Sequence, residues 1–118
     1  MLDANQTQSR KDFPRRKLAS RVVPTTATII LECPKGRATK VEALVVCNVT
    51  NAQATIRIHH VTPVESTATS NAILYDLVVR PNSTTTIELP MYLVDGDRIV
   101  AQAGTASALC ILLYGYDG

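Results

Sequence analysis

Tryptophan is absent from this chain, phenylalanine occurs once (Phe13), and tyrosine occurs only as Tyr75, Tyr92, Tyr114 and Tyr116. So few aromatic rings exclude an interior built on large flat side chains, and they leave little for the stacked platforms of common sugar and base sites. Cysteine is scarce and odd in number (Cys33, Cys47, Cys110), which argues against a closed set of intrachain disulfides and for small buried thiols. No N-terminal apolar run has the form of a secretory signal, and no stretch approaches the roughly 20 apolar residues of a membrane-spanning helix. The sequons at Asn5, Asn48 and Asn82 are then read as chance matches in a threonine-rich chain.

What remains is aliphatic and β-branched. Apolar residues make up 46% of 118 positions, enough for one domain with its own core. The stretch Lys40 to Asn48 reads as a central strand: Val41, Ala43, Val45, Cys47 and then Val49 alternate on one expected face. Similar runs are expected as strands at Ala27 to Cys33, Ala54 to Val61, Ile73 to Val79, Thr84 to Leu89, Arg98 to Ala103 and Ala108 to Tyr116. Ile73, Tyr75, Leu77 and Val79 are predicted to share a face. Turn residues separate these runs, notably Pro34-Lys-Gly-Arg37, Arg80-Pro-Asn-Ser83 and Asp95-Gly-Asp97. No helical stripe exceeds a turn or two. The prediction is an all-β chain, an antiparallel β-sandwich of about 7–8 strands, jelly-roll-like or immunoglobulin-like, over residues 25–118.

Charge divides the chain. Residues 1–24 carry six basic side chains against Asp3 and Asp12, a net +4, whereas the rest carry six basic and eight acidic ones, a net −2. This leader has no sustained period, and Pro14 and Pro24 discourage a helix. It is expected to be an extended basic arm. Arg10, Lys11, Phe13, Arg15, Arg16, Lys17 and Arg21 are its candidate partner-binding residues. A solvated tail, an arm on a neighbouring protein subunit and a nucleic-acid arm all fit; the apolar anchors Phe13, Leu18, Val22 and Val23 among the charges favour the second. About 24 extended residues at roughly 3.3 Å each reach about 80 Å.

Signatures of chemistry are missing. His59 and His60 are strand neighbours, so they point to opposite faces and do not serve one metal; His60 is expected as a hydrogen-bonded interior or rim residue. Asp95-Gly-Asp97 lacks the further ligands of a calcium loop and reads as a tight turn. No nucleophile elbow, phosphate loop or dinucleotide fingerprint occurs, and Asp76, Glu88, Asp95 and Asp97 are scattered singly. No catalytic residue, cofactor or metal is predicted.

From Val41 onward the chain resembles a family of small tailed-phage virion proteins. The likeness is an order of features: Pro-Lys-Gly-Arg (34–37), Val-Glu-Ala-Leu-Val-Val-Cys-Asn (41–48), Ala-Thr-Ile-Arg-Ile-His-His (54–60), Asn-Ala-Ile-Leu-Tyr (71–75), Val-Arg-Pro-Asn-Ser-Thr (79–84), Ile-Glu-Leu-Pro (87–90) and Leu-Val-Asp-Gly-Asp-Arg-Ile (93–99). These are turn-and-strand patterns, and the basic leader is longer than such proteins usually carry. The resemblance implies a non-enzymatic capsid decoration or cement subunit, often trimeric. Its partners would be the major capsid protein and copies of itself, on a capsid surface assembled in the host cytoplasm. No membrane, nucleic-acid or small-molecule partner is expected. A neck, tail or baseplate part, or a glycan-binding attachment module, is the alternative.

Overall fold

A computed structural model describes residues 15–117; the expected arm contacts Arg10, Lys11 and Phe13 lie outside the described residues. Eight strands follow in order: β1 (Arg16–Val22), β2 (Thr28–Glu32), β3 (Ala38–Asn48), β4 (Ala54–Val61), β5 (Ala72–Val79), β6 (Thr84–Val94), β7 (Arg98–Ala103) and β8 (Leu109–Asp117). They pair antiparallel as a long hairpin folded over on itself, β4 with β5, β3 with β6, β2 with β7 and β1 with β8. Two four-stranded sheets result, ordered β1-β8-β3-β6 and β2-β7-β4-β5. That order is the jelly roll rather than the immunoglobulin sandwich.

The core between the sheets is aliphatic, as the scarcity of aromatic residues requires. Leu44 and Val46 of β3, Ile56 and Ile58 of β4, Ile99 of β7 and Leu109, Ile111 and Leu113 of β8 are fully buried. Each contributes roughly 1.5–3 kcal/mol by leaving water. The predicted turns form with Gly36 at φ 76° and Gly96 at φ 81°, and Asp95 ties them together by accepting from the Gly36 N–H at 2.6 Å.

The strands differ from the sequence-based expectation in four ways: β6 runs five residues past its expected end at Leu89, through Pro90 to Val94, and three further differences each have a local cause. Residues 16–22, expected within the arm, form β1 and pair with β8 along its length. Both faces of most of this edge strand are open to water, so Arg16, Lys17 and Arg21 are tolerated and only Leu18 and Ala19 turn partly inward. In β3 the odd positions, expected to face the core throughout with the even ones wet at Lys40 and Glu42 and covered only from Leu44, do not keep to one face. Val41 pairs with Gly115 and Met91, but the next partners are Ala43 with Tyr114 and Glu88. The extra residue, Glu42, is a β-bulge that exchanges the two faces. Leu44, Val46 and Asn48 are therefore buried inward, while Val45 and Cys47 lie on the outer face. In β5 the partners of Ile56 and Ile58 are Leu77 and Leu74, so Tyr75 and Asp76 together oppose Arg57. Tyr75 consequently leaves the face it was expected to share with Leu77 and Val79 and is half exposed.

Candidate functional site

Two outer surfaces hold the features that packing alone does not explain. The first is the outer face of β1-β8-β3-β6. Register places Val22, Cys110, Cys47 and Thr84 in one cross-strand row and Ser20, Leu112, Val45 and Thr86 in the next. A third row holds Lys17, Tyr114, Ala43 and Glu88. Past the bulge come Tyr116, Lys40 and Tyr92, with Lys40 Nζ 5.4 Å from the Tyr92 ring centre and 2.7 Å from Glu42. Glu42 holds the Lys40 ammonium above its ordinary pKa by hydrogen bonding. The centre of this face is apolar, and its charges gather at one end.

Four of the cations predicted for the arm lie on or just before the edge strand β1; register turns Lys17 to this outer face and Arg16 and Arg21 to the other side of the same edge. Arg15 Nη1 lies 3.2 Å from Glu88 of β6, and Arg16 Nη1 lies 3.6 Å from Asp117. The Arg15 and Glu88 side chains together span the sheet, since β1 and β6 are its opposite edges. Lys17 and Arg21 are exposed on β1. The structure thus brings four of the seven predicted arm residues to one sheet border.

The second surface is a polar cleft on the outer face of β2-β7-β4-β5. It has a volume of about 420 Å³ and is lined by Thr25, Thr55, Arg57, Asp76, Gln102 and Gly104. The β5 bulge builds its wall. Asp76 adopts φ 56°, a left-handed conformation that aspartate tolerates better than most residues. Its carboxylate accepts from Arg57 Nε at 2.7 Å and Nη2 at 3.2 Å, and the guanidinium carbon lies 4.1 Å from the Tyr75 ring centre. This fork lowers the Asp76 pKa and raises that of Arg57. Gln102 Nε2 donates to the Thr25 carbonyl at 3.0 Å. A Cβ on Gly104 would come within 2.5 Å of Thr55 Oγ1, so glycine there leaves the Thr55 hydroxyl accessible. Sequence reading missed this cluster. Its one visible sign is Asp76 inside the apolar run Leu74-Tyr-Asp-Leu-Val78.

The other polar groups have structural partners. His60 Nε2 lies 3.3 Å from Asp97 Oδ2, which also accepts the Val94 N–H at 3.1 Å, a rim histidine as expected. His59 is buried on the opposite face of β4, its Nδ1 3.0 Å from Asn71 Oδ1. Glu65 accepts the Thr62 N–H at 3.0 Å, which lowers its pKa. Cys33, Cys47 and Cys110 are free thiols; Cys33 is buried as expected, whereas Cys47 and Cys110 are only partly buried, because the β3 bulge leaves their row on the outer face. The sequon residue Asn48 is buried, its amide nitrogen donating to the carbonyls of Ala52 at 2.9 Å and Val79 at 3.0 Å. Among the described residues no group of three or more His, Cys, Asp or Glu could hold a metal.

No protein-family model, curated protein or solved structure matches this chain.

Proposed function

We propose that this chain is a structural, non-enzymatic subunit of the capsid decoration or cement type, which binds a protein shell and copies of itself. The observation that carries the reading is the apolar outer face of β1-β8-β3-β6, with Val45, Cys47, Cys110 and Leu112 at its centre and the β1 cations along its border. An apolar sheet face rimmed by charge is a surface suited to a protein partner. Fold-level analogy adds a weaker support, because jelly rolls recur in viral shells as well as in lectins. The sequence before β1 adds Arg10 and Lys11, and these with the β1 cations suit the carboxylates of a shell protein.

The test is occupancy on particles. Deleting residues 1–14, which leaves β1 in place, and separately replacing Leu112→Glu at the centre of the outer face should each keep the fold and reduce attachment. Unchanged occupancy in both variants overturns the reading. Counting copies per particle separates a shell subunit, present in hundreds, from a neck or tail part.

A further inference from the structure

The cleft on the second sheet is not needed for adhesion through the first, yet the chain accepts backbone strain to build it. A non-glycine residue in the left-handed region in the middle of a strand is costly, and such residues gather where geometry serves a ligand. At Asp76 the bulge turns two consecutive side chains, the Tyr75 ring and the Asp76 carboxylate, onto the face that carries Arg57. A straight β5 would show only one of them there.

The chemistry of the lining narrows the ligand. Arg57 spends Nε and Nη2 on Asp76, which leaves Nη1 as a donor. Its positive charge is already met by a carboxylate, so a phosphate or sulfate would gain little and would face Asp76 as well. The Asp76 carboxylate keeps further lone pairs, and Gln102, anchored through Nε2, keeps its Oε1 as an acceptor. Thr55 contributes a hydroxyl that Gly104 leaves uncovered. The lining is too polar for an apolar guest, and a single carboxylate is too few ligands for a metal. Fixed donors and acceptors side by side match a molecule that is neutral and rich in hydroxyls. The volume of about 420 Å³ falls within the roughly 300–1,000 Å³ of small-molecule sites.

We propose that this cleft binds a neutral saccharide, its hydroxyls held by the Arg57–Asp76 fork, Gln102 and Thr55. The site lies on the sheet opposite the apolar face, so it stays open to solvent when that face is covered. It stands independently of shell binding.

The experiment is a two-dimensional NMR titration of the full chain with lactose, maltose, cellobiose and N,N′-diacetylchitobiose. Sodium sulfate and sialyllactose serve as charged probes. At least one neutral disaccharide should shift the amide signals of Arg57, Asp76, Gln102 and Gly104 saturably. Thr55→Val and Gln102→Leu should each weaken that binding at least tenfold, with the remaining amide spectrum showing that the fold persists. The proposal is overturned if no neutral sugar binds, if only the charged probes bind, or if the shifts lie elsewhere. Binding that survives both substitutions overturns it too.

Discussion

The carbonyl oxygen of Lys40 occupies the place where a Cβ on Gly115 would sit. The two residues belong to neighbouring strands, and the β3 bulge at Glu42 presses the Lys40–Val41 backbone against β8 at this point. Backbone cannot rotate out of the way as a side chain can. Gly115→Ala should therefore destabilise the fold, at the upper end of the roughly 1–3 kcal/mol that overpacking costs. Urea unfolding measures this, and a loss below about 0.5 kcal/mol would show that the bulge yields.

Asn48 sits at the end of β3 and joins three segments. Besides its two donations to Ala52 and Val79, its Oδ1 accepts from the Thr50 N–H at 2.9 Å and the Thr50 hydroxyl at 2.8 Å. Asn48→Ala strands buried partners, each costing about 1–3 kcal/mol. Asn48→Asp removes both N–H donors at similar volume and should lose nearly as much. Expression in a glycosylating host should leave Asn48 bare once the chain has folded, which mass spectrometry of the intact protein reads directly.

Asp76 links stability to pH. Its folded pKa is lowered below 3.8 by the Arg57 fork, so its contribution is present above that value and is lost as pH falls through the folded one. Glu65, lowered from 4.5 by the Thr62 N–H, acts in the same direction. Asparagine also tolerates the left-handed backbone, so Asp76→Asn isolates the charge. Wild type should be the more stable at neutral pH, and the difference should shrink below about pH 4. Thermal melts across that range check it; a pH-independent difference would count against the fork as its cause.

Cys47 and Cys110 are register partners on the outer face, two residues along from the Val49 N–H bond to the Ala108 carbonyl. Pairs of that phase lie about 5.5 Å apart at Cα, inside the roughly 4.4–6.8 Å of disulfides. Oxidised glutathione should close a bond between them, the two thiols giving up two hydrogens to yield two reduced glutathiones. One alkylatable thiol, Cys33, would then remain after unfolding. Mass spectrometry finding only mixed disulfides would show that the sheet holds the sulfurs apart. In an assembled particle the same thiols should react slowly with iodoacetamide if a partner covers this face.

The seven strands from β2 to β8 were legible because Val, Ile, Leu and Thr alternate between turn residues, and Gly36 and Gly96 mark two of those turns. Face assignment was legible only up to the first bulge. The Glu42 bulge in β3, which sends Val45 outward and Leu44 inward, is marked only by the even positions turning from Lys40 and Glu42 to Leu44 and Val46, which also fits a strand covered on both faces. β1 was hidden because an edge strand open on both faces need not alternate at all. The polar cleft depends on Arg57 meeting Asp76, nineteen residues later, and that meeting is set by register. Local composition carries no record of it.

All four outermost strands are interrupted: β1 at Leu18, β2 at Ile30, β5 at Tyr75–Asp76 and β6 at Leu89–Pro90, where proline also lacks an N–H. A border bent in this way offers an approaching strand no straight run of donors and acceptors. Lateral growth from chain to chain is blocked on every side, so crowding these molecules together should yield discrete particles rather than fibrils. Any contact between copies would then fall to the flat of the sheet, where side chains decide the fit and the number of copies can be finite.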